Sequence, residues 1–155
     1  MRPIELGLIA GLLFGASIAK AAELPHDAVV LPGSMAPAML HQCSRRAPPM
    51  GESTWQPSAD DILKLEELLQ KALMAQAAKG DPDWSRAPSG WRRQYAGIVL
   101  KGRRLIYGNY FALGNESGSW RNVPVIICDG GPAFFGVTFD VSAGRFADLA
   151  FNGAI

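Results

Sequence analysis

The stretch Asn122–Asn152 constrains this chain most. It reads NVPVIICDGGPAFFGVTFDVSAGRFADLAFN, three short apolar runs separated by two turn signals. Val123, Val125 and Ile127 alternate with Pro124, Ile126 and Cys128. Both sets are apolar, which predicts a central strand covered on both faces. Asp129-Gly130-Gly131-Pro132 then reverses the chain, because glycine takes positive φ without steric cost. Phe135, Val137 and Phe139 alternate with Phe134, Gly136 and Thr138 in a second strand. After a turn at Asp140–Gly144, Phe146–Phe151 forms a third, with Ala147, Leu149 and Phe151 expected on one face. The stretch therefore predicts a three-stranded antiparallel meander as the floor of the core.

A sheet with an apolar face needs a cover, and one amphipathic helix supplies it. Ser58–Lys79 starts with a good N-cap, and Asp61 three residues on makes a near capping box. Ile62, Leu65, Leu69, Ala72, Leu73 and Gln76 trace one face with Leu68 beside it, while Lys64, Glu66, Glu67 and Lys71 are expected to point to solvent. Gly80 and Pro82 are the stop signals. Beyond a loop around Trp84, Tyr95–Leu100 and Leu105–Phe111 predict a hairpin closed through Lys101-Gly102-Arg103-Arg104, followed by a polar loop over 113–122. The order predicts an α+β domain, one N-terminal helix packed on a curved antiparallel sheet of about five strands, cystatin-like in architecture. A small open barrel plugged by the helix is the alternative. Gly97, Gly108 and Gly136 are expected at bulges or sharp curvature.

The N-terminus reads as an export signal. Arg2 precedes an apolar run, Leu6–Ile18, too short to span a bilayer comfortably, and Ala19-Lys20-Ala21 fits a small-x-small cleavage site. Residues 1–21 are thus expected to be removed, leaving a periplasmic or secreted protein that begins at about Ala22 and meets the membrane only during export. Residues 22–57, broken by six prolines, are expected to form an extended proline-rich arm. A short helical turn is expected around Ala36–Gln42 and a mobile start up to about Pro32. Residues 58–155 form the helix-plus-sheet domain. Two cysteines in an exported chain predict a disulfide, Cys43 to Cys128, pinning the arm to the central strand. Closing so long a loop stabilises by roughly 4 kcal/mol in the chain-entropy model.

The C-terminal pattern carries a resemblance. Cys128-Asp129-Gly130-Gly131, Phe135, Phe139-Asp140, Phe146 and Leu149-x-Phe151-Asn152-Gly153, together with Trp55-x-Pro57, resemble a family of small exported bacterial proteins without an assigned activity. The resemblance covers about the last sixty residues, implies an exported domain and brings no catalytic residues with it.

Charge and motifs narrow the function further. Fifteen basic and fourteen acidic residues are nearly balanced, which excludes a dedicated nucleic-acid binder of the usual basic kind. The balance is uneven along the chain: five basic against nine acidic residues over 22–85, eight against four over 86–155. There is no phosphate-binding loop, nucleophile elbow or zinc-helix motif, so no cofactor or metal is expected. His26 and His41 lack ligand-spaced neighbours and read as surface residues. Protease inhibition of the cystatin type needs a Q-x-V-x-G tip, and Gln94-Tyr95-Ala96-Gly97 departs from it. Carboxylates on the sheet (Asp129, Asp140, Asp148) and Glu116 are the candidates for a small hydrolase or isomerase. The leading expectation is a non-catalytic binding or interaction protein of the envelope. Its candidate surface is basic: Arg92, Arg93, Lys101, Arg103, Arg104, Trp120 and Arg121, joined by Arg145 and interleaved with Trp91, Tyr95, Tyr107 and Tyr110. Such a surface suits an anionic ligand or partner. A structural envelope component is the third reading.

Overall fold

The longest uninterrupted pairing in the molecule is a hairpin. In the computed structural model, which describes residues 21–77, 90–112 and 118–153, β3 (Arg92–Leu100) and β4 (Arg103–Phe111) pair antiparallel from Arg92↔Phe111 to Leu100↔Arg103. Lys101 and Gly102 make the two-residue turn, both at positive φ (52° and 71°). That backbone twist matches the right-handed twist of the strands it joins. β5 (Phe134–Asp140) and β6 (Arg145–Phe151) extend the sheet antiparallel from β4. At the other edge, β1 (Ala28–Val30) runs parallel to the start of β3 and β2 (Ser53–Trp55) antiparallel to its end.

The domain is α+β, as expected, but the sheet is mixed and has six strands, in the order β1-β3-β4-β5-β6 with β2 also on β3. The 22–57 segment supplies two of those strands, so the expected mobile start gives way to a strand within three residues of His26. The short helical turn is α1 (Ala36–Leu40). Ala28, Leu31, Ala36 and Met39 are buried. A 3.6- or 2-residue period was absent there because the apolar residues belong to several very short elements.

The two faces of the sheet carry separate cores. The long helix α2 (Ala59–Ala77) lays Ile62, Leu65, Leu69 and Leu73 on one face, against Tyr95, Ile106, Tyr110, Phe135, Val137 and Phe139. Its N-terminus is the expected capping box: Ser58 Oγ accepts from the Asp61 N–H (3.2 Å) and the Asp61 carboxylate accepts from the Ser58 N–H (2.9 Å). The stop signals Gly80 and Pro82, the loop around Trp84, the leader and Glu116 lie outside the described residues. The arm covers the opposite face, with Leu31, Ala36 and Met39 on Ala96, Ile98, Leu105 and Tyr107.

Three expectations need correction. Val123–Cys128 is not a strand. Pro124 cannot donate to a ladder, and β5 holds the place beside β4. The segment instead crosses the arm face, where side-chain amides do the work of a neighbouring strand. Gln94 Nε2 donates to the carbonyls of Trp120 and Val123, and its Oε1 accepts from the Val125 N–H. Asn109 donates to the Val125 carbonyl (2.8 Å). Asn152 donates to the carbonyls of Ile127 (2.7 Å) and Asp129 (2.8 Å). Alternate backbone groups face the sheet, so the period of two is present in the segment without a strand.

Gly97, Gly108 and Gly136 all sit in continuous register, so none marks a bulge. They mark close approaches. A Cβ at Gly136 would stand 2.5 Å from Tyr107 Oη and 2.8 Å from Arg45 Nε. The bulge lies in β6, where Phe139 faces Phe146 and Thr138 faces Asp148, leaving Ala147 as the extra residue. It shifts the alternation, so that Phe146, Leu149 and Phe151 reach the helix-side core while Ala147 does not join them.

Candidate ligand-binding site

The bulge matters because it adds Ala147 to Asp148 on the arm face, so that two consecutive residues of β6 stand there together. There they meet Thr138 from β5 and Leu100, Arg103 and Leu105 from the closed end of the hairpin. The arm supplies the remaining wall with Arg46, Ala47 and Pro48. Together these residues line an open pocket of about 410 Å³, inside the range of roughly 300–1,000 Å³ over which small-molecule sites fall. Its lining combines aliphatic side chains with the charges of Arg46, Arg103 and Asp148.

The two guanidiniums of the lining are held very differently. Arg103 Nη1 lies 2.9 Å from Asp140 Oδ2. That carboxylate is 4% exposed and also accepts from the Ala143 N–H at 3.0 Å. Desolvation of one partner makes this a firm pair that positions Arg103. Arg46 Nη2 lies 3.1 Å from Asp148 Oδ1, with side-chain exposures of 81% and 35%. Water screens this pair, and exposed pairs of this kind contribute about 0–1 kcal/mol.

A third guanidinium, next in sequence to Arg46, lies outside the pocket lining. Arg45 donates to the Tyr107 hydroxyl at 3.2 Å and to the side-chain carbonyls of Asn109 and Asn152. Those acceptors are neutral oxygens. Arg45, Arg46 and Arg103 set against Asp140 and Asp148 therefore leave these five side chains with one net positive charge between them. The Tyr107 phenol registers the same environment: burial raises its pKa, the Arg45 charge and hydrogen bond oppose that rise, and Asp148 adds to it.

The disulfide holds the arm in this position. Cys43 and Cys128 are bonded, with Cα atoms 5.1 Å apart. Cys128 lies in the crossing segment and not on a strand, so its orientation follows from the amide contacts above. Ser44 adds a backbone tie, its carbonyl accepting from the Gly153 N–H. The arm residues 43–48 thus reach the pocket already anchored at Cys43, Ser44 and Arg45.

The basic residues singled out from the sequence fall in two groups. At the open end of the hairpin, Arg92 and Arg121 place their guanidiniums 5.3 and 4.4 Å from the Trp120 ring. Arg121 also donates to the His26 carbonyl. At the turn, Lys101 donates its N–H to Glu52, Arg104 stacks 5.2 Å from Trp55, and Arg103 reaches the pocket. Nine-residue strands separate the groups by roughly 30 Å. Arg145 is exposed at the start of β6. Arg93 is buried, 3.5 Å from Glu66. The pocket's other guanidinium, Arg46, comes from the acidic half of the chain, and its one sequence signal was a basic pair two residues after a disulfide cysteine.

Of the candidate carboxylates, Asp140 and Asp148 stand on this face, each paired with an arginine, and Asp129 is exposed. Glu66, expected in solvent, is the carboxylate the helix turns inward. It accepts from the hydroxyls of Tyr95 and Tyr110 (the latter at 2.6 Å), and Arg93 faces its other oxygen. Its side chain is 14% exposed. Glu66 lies between Ile62/Leu65 and Leu69/Leu73 on the helix, so the buried tyrosine hydroxyls capture it as their acceptor.

Among the described residues no three His, Cys, Asp or Glu side chains converge as a metal would need, and no helix is long and apolar enough to cross a membrane. Compared with protein-family models, curated proteins and solved structures, the chain matches none.

Proposed function

We propose that this is an exported, non-catalytic binding protein whose ligand is anionic and occupies the pocket between the arm and β4–β6. The observation that carries the reading is the composition of that pocket: aliphatic lining at Leu100 and Leu105 beside the two guanidiniums of Arg46 and Arg103. Apolar surface supplies affinity in such sites and a few placed charges fix orientation. The Cys43–Cys128 disulfide supports an oxidising compartment, in keeping with the leader read in residues 1–21. The layout of one long helix over the antiparallel β3–β6 sheet supports the cystatin-like reading of the architecture, with the arm strands as an addition to it. Of the alternatives, a hydrolase or isomerase would need a carboxylate free to exchange a proton, whereas Asp140 and Asp148 are each engaged by an arginine. A structural envelope role would call for a contiguous apolar surface. The test is calorimetry and thermal unfolding of the disulfide-intact 22–155 protein against small anions drawn from an envelope extract, at low and high salt. Binding that weakens with salt and is lost in Arg46→Gln is expected. Binding indifferent to both would sink the reading.

A further inference from the structure

We infer that the ligand is an organic monoanion with an apolar body, and that Asp148 is its built-in competitor for Arg46. This rests on the binding reading above and adds to it the class of ligand and the residue that sets its affinity. Three observations lead here. First, the two ion pairs differ in how readily they open. Arg103 is tied to a carboxylate that is 4% exposed and doubly bonded, so an incoming anion cannot displace Asp140. Arg46 is tied to a carboxylate that is 35% exposed, by a contact of 3.1 Å with the guanidinium itself 81% exposed. An incoming carboxylate or phosphate offers Arg46 a bidentate partner in place of the single contact to Asp148 and breaks a pair of small net worth.

Second, the local charge count admits one anion. With Asp140 and Asp148 both in place, the three guanidiniums leave one positive charge uncompensated. A single anionic head neutralises it, whereas a dianion would bring net negative charge beside two carboxylates. Third, the rest of the lining is aliphatic, formed by Ala47, Pro48, Leu100, Leu105 and Ala147, with Thr138 the one hydroxyl. An inorganic anion would leave that surface exposed to water, while an alkyl or aryl body covers it. Asp148, on the β6 face opposite Leu149 and in register with Thr138, thus places an internal carboxylate where the ligand's own must go.

The experiment titrates the oxidised 22–155 protein at low ionic strength and about pH 5.5, where a monoalkyl phosphate is mainly a monoanion and a carboxylate is mainly ionised, with octanoate, octyl phosphate, 1-octanol, octylamine and inorganic phosphate. Wild type, Asp148→Asn and Arg46→Gln are compared. Octanoate and octyl phosphate are expected to bind, and both to bind more tightly than 1-octanol, octylamine or inorganic phosphate. The balance between octanoate and octyl phosphate distinguishes a carboxylate from a phosphate head. Asp148→Asn should tighten the two anionic amphiphiles about fivefold, the upper range of an exposed ion pair. It should leave 1-octanol unchanged, which also shows that the variant pocket is intact. Arg46→Gln should bring the anions down to the level of 1-octanol. If 1-octanol binds as tightly as octanoate, or if Asp148→Asn leaves octanoate within twofold or weaker, this inference is overturned while the binding reading stands. If none of the five probes binds and no envelope anion does, the binding reading fails as well.

Discussion

All three tyrosines of the chain are buried: Tyr95 and Tyr110 are 0% exposed and Tyr107 is 1%. No phenol of the native protein should therefore ionise at its ordinary pKa of about 10. Burial is the largest cause for each. For Tyr95 the Glu66 carboxylate adds to it, and for Tyr110 both Tyr95 and Glu66 do, so that both are held well above 10. The sign follows from linkage. A group whose pKa is raised on folding binds more protons in the native than in the unfolded state once pH passes the unfolded value. Its contribution is complete below about pH 10 and is lost as pH climbs toward the folded value. Each such phenol removes up to ~1.4 kcal/mol of stability per pH unit over that interval. Tyr95 and Tyr110 together therefore remove ~3 kcal/mol per unit, and ~5 kcal/mol by about pH 11.7. That is comparable to the whole stability of a small domain, about 5–15 kcal/mol. Phenolate absorbance and near-ultraviolet circular dichroism followed together through rising pH test this. The expected record is flat absorbance past pH 10, then ionisation of all three tyrosines in one step with loss of the dichroism. A single tyrosine titrating reversibly near pH 10, with the dichroism intact, would refute the burial argument.

Other perturbations address the remaining contacts. Glu66→Ala leaves two buried hydroxyls and Arg93 without their shared carboxylate and should cost about 3–5 kcal/mol in urea unfolding, whereas Glu67→Ala, on the solvent side of α2, should leave the midpoint where it was; equal midpoints for the two variants would mean that the helix is turned the other way. Asn152→Ala removes two bonds to the crossing segment and one from Arg45, and at about 1 kcal/mol each the expected loss is about 2–3 kcal/mol; a loss under about 0.5 kcal/mol would show that water replaces them. Replacing both cysteines by serine should lower stability by about 2–4 kcal/mol and make the 41–50 stretch the first site of limited proteolysis, while α2 and the β3–β4 hairpin persist; first cleavage within α2 would contradict this.

The elements most legible in the sequence were those whose signal is local. Ser58 and Asp61 cap α2 with atoms three residues apart, and Lys101-Gly102 close the hairpin with their own backbone angles. Phe135, Val137 and Phe139 declare a buried strand face by simple alternation. The Cys43–Cys128 bond was also legible, though only because two cysteines admit a single pairing. The segment Val123–Cys128 shows where such signals mislead. Its period of two is genuine, yet its backbone partners are the side chains of Gln94, Asn109 and Asn152, which are distant in sequence and indistinguishable there from surface amides.

The pocket lies beyond local pattern for the same reason. Arg46 and Asp148 are 102 residues apart, and they meet because the disulfide-tied arm lies along the face that Asp148 shares with Thr138, where an unpredicted bulge adds Ala147. Glu66 falls beside Ile62, Leu69 and Leu73 on a helical projection, so its inward side was legible from spacing, but the pair of hydroxyls on β3 and β4 that need it as an acceptor was not. Local propensity and periodicity decide which segments become helices and strands, since they act between near neighbours. Which polar group meets which across the sheet is decided by register, bulges and the satisfaction of buried donors, and those exist only once the chain has folded.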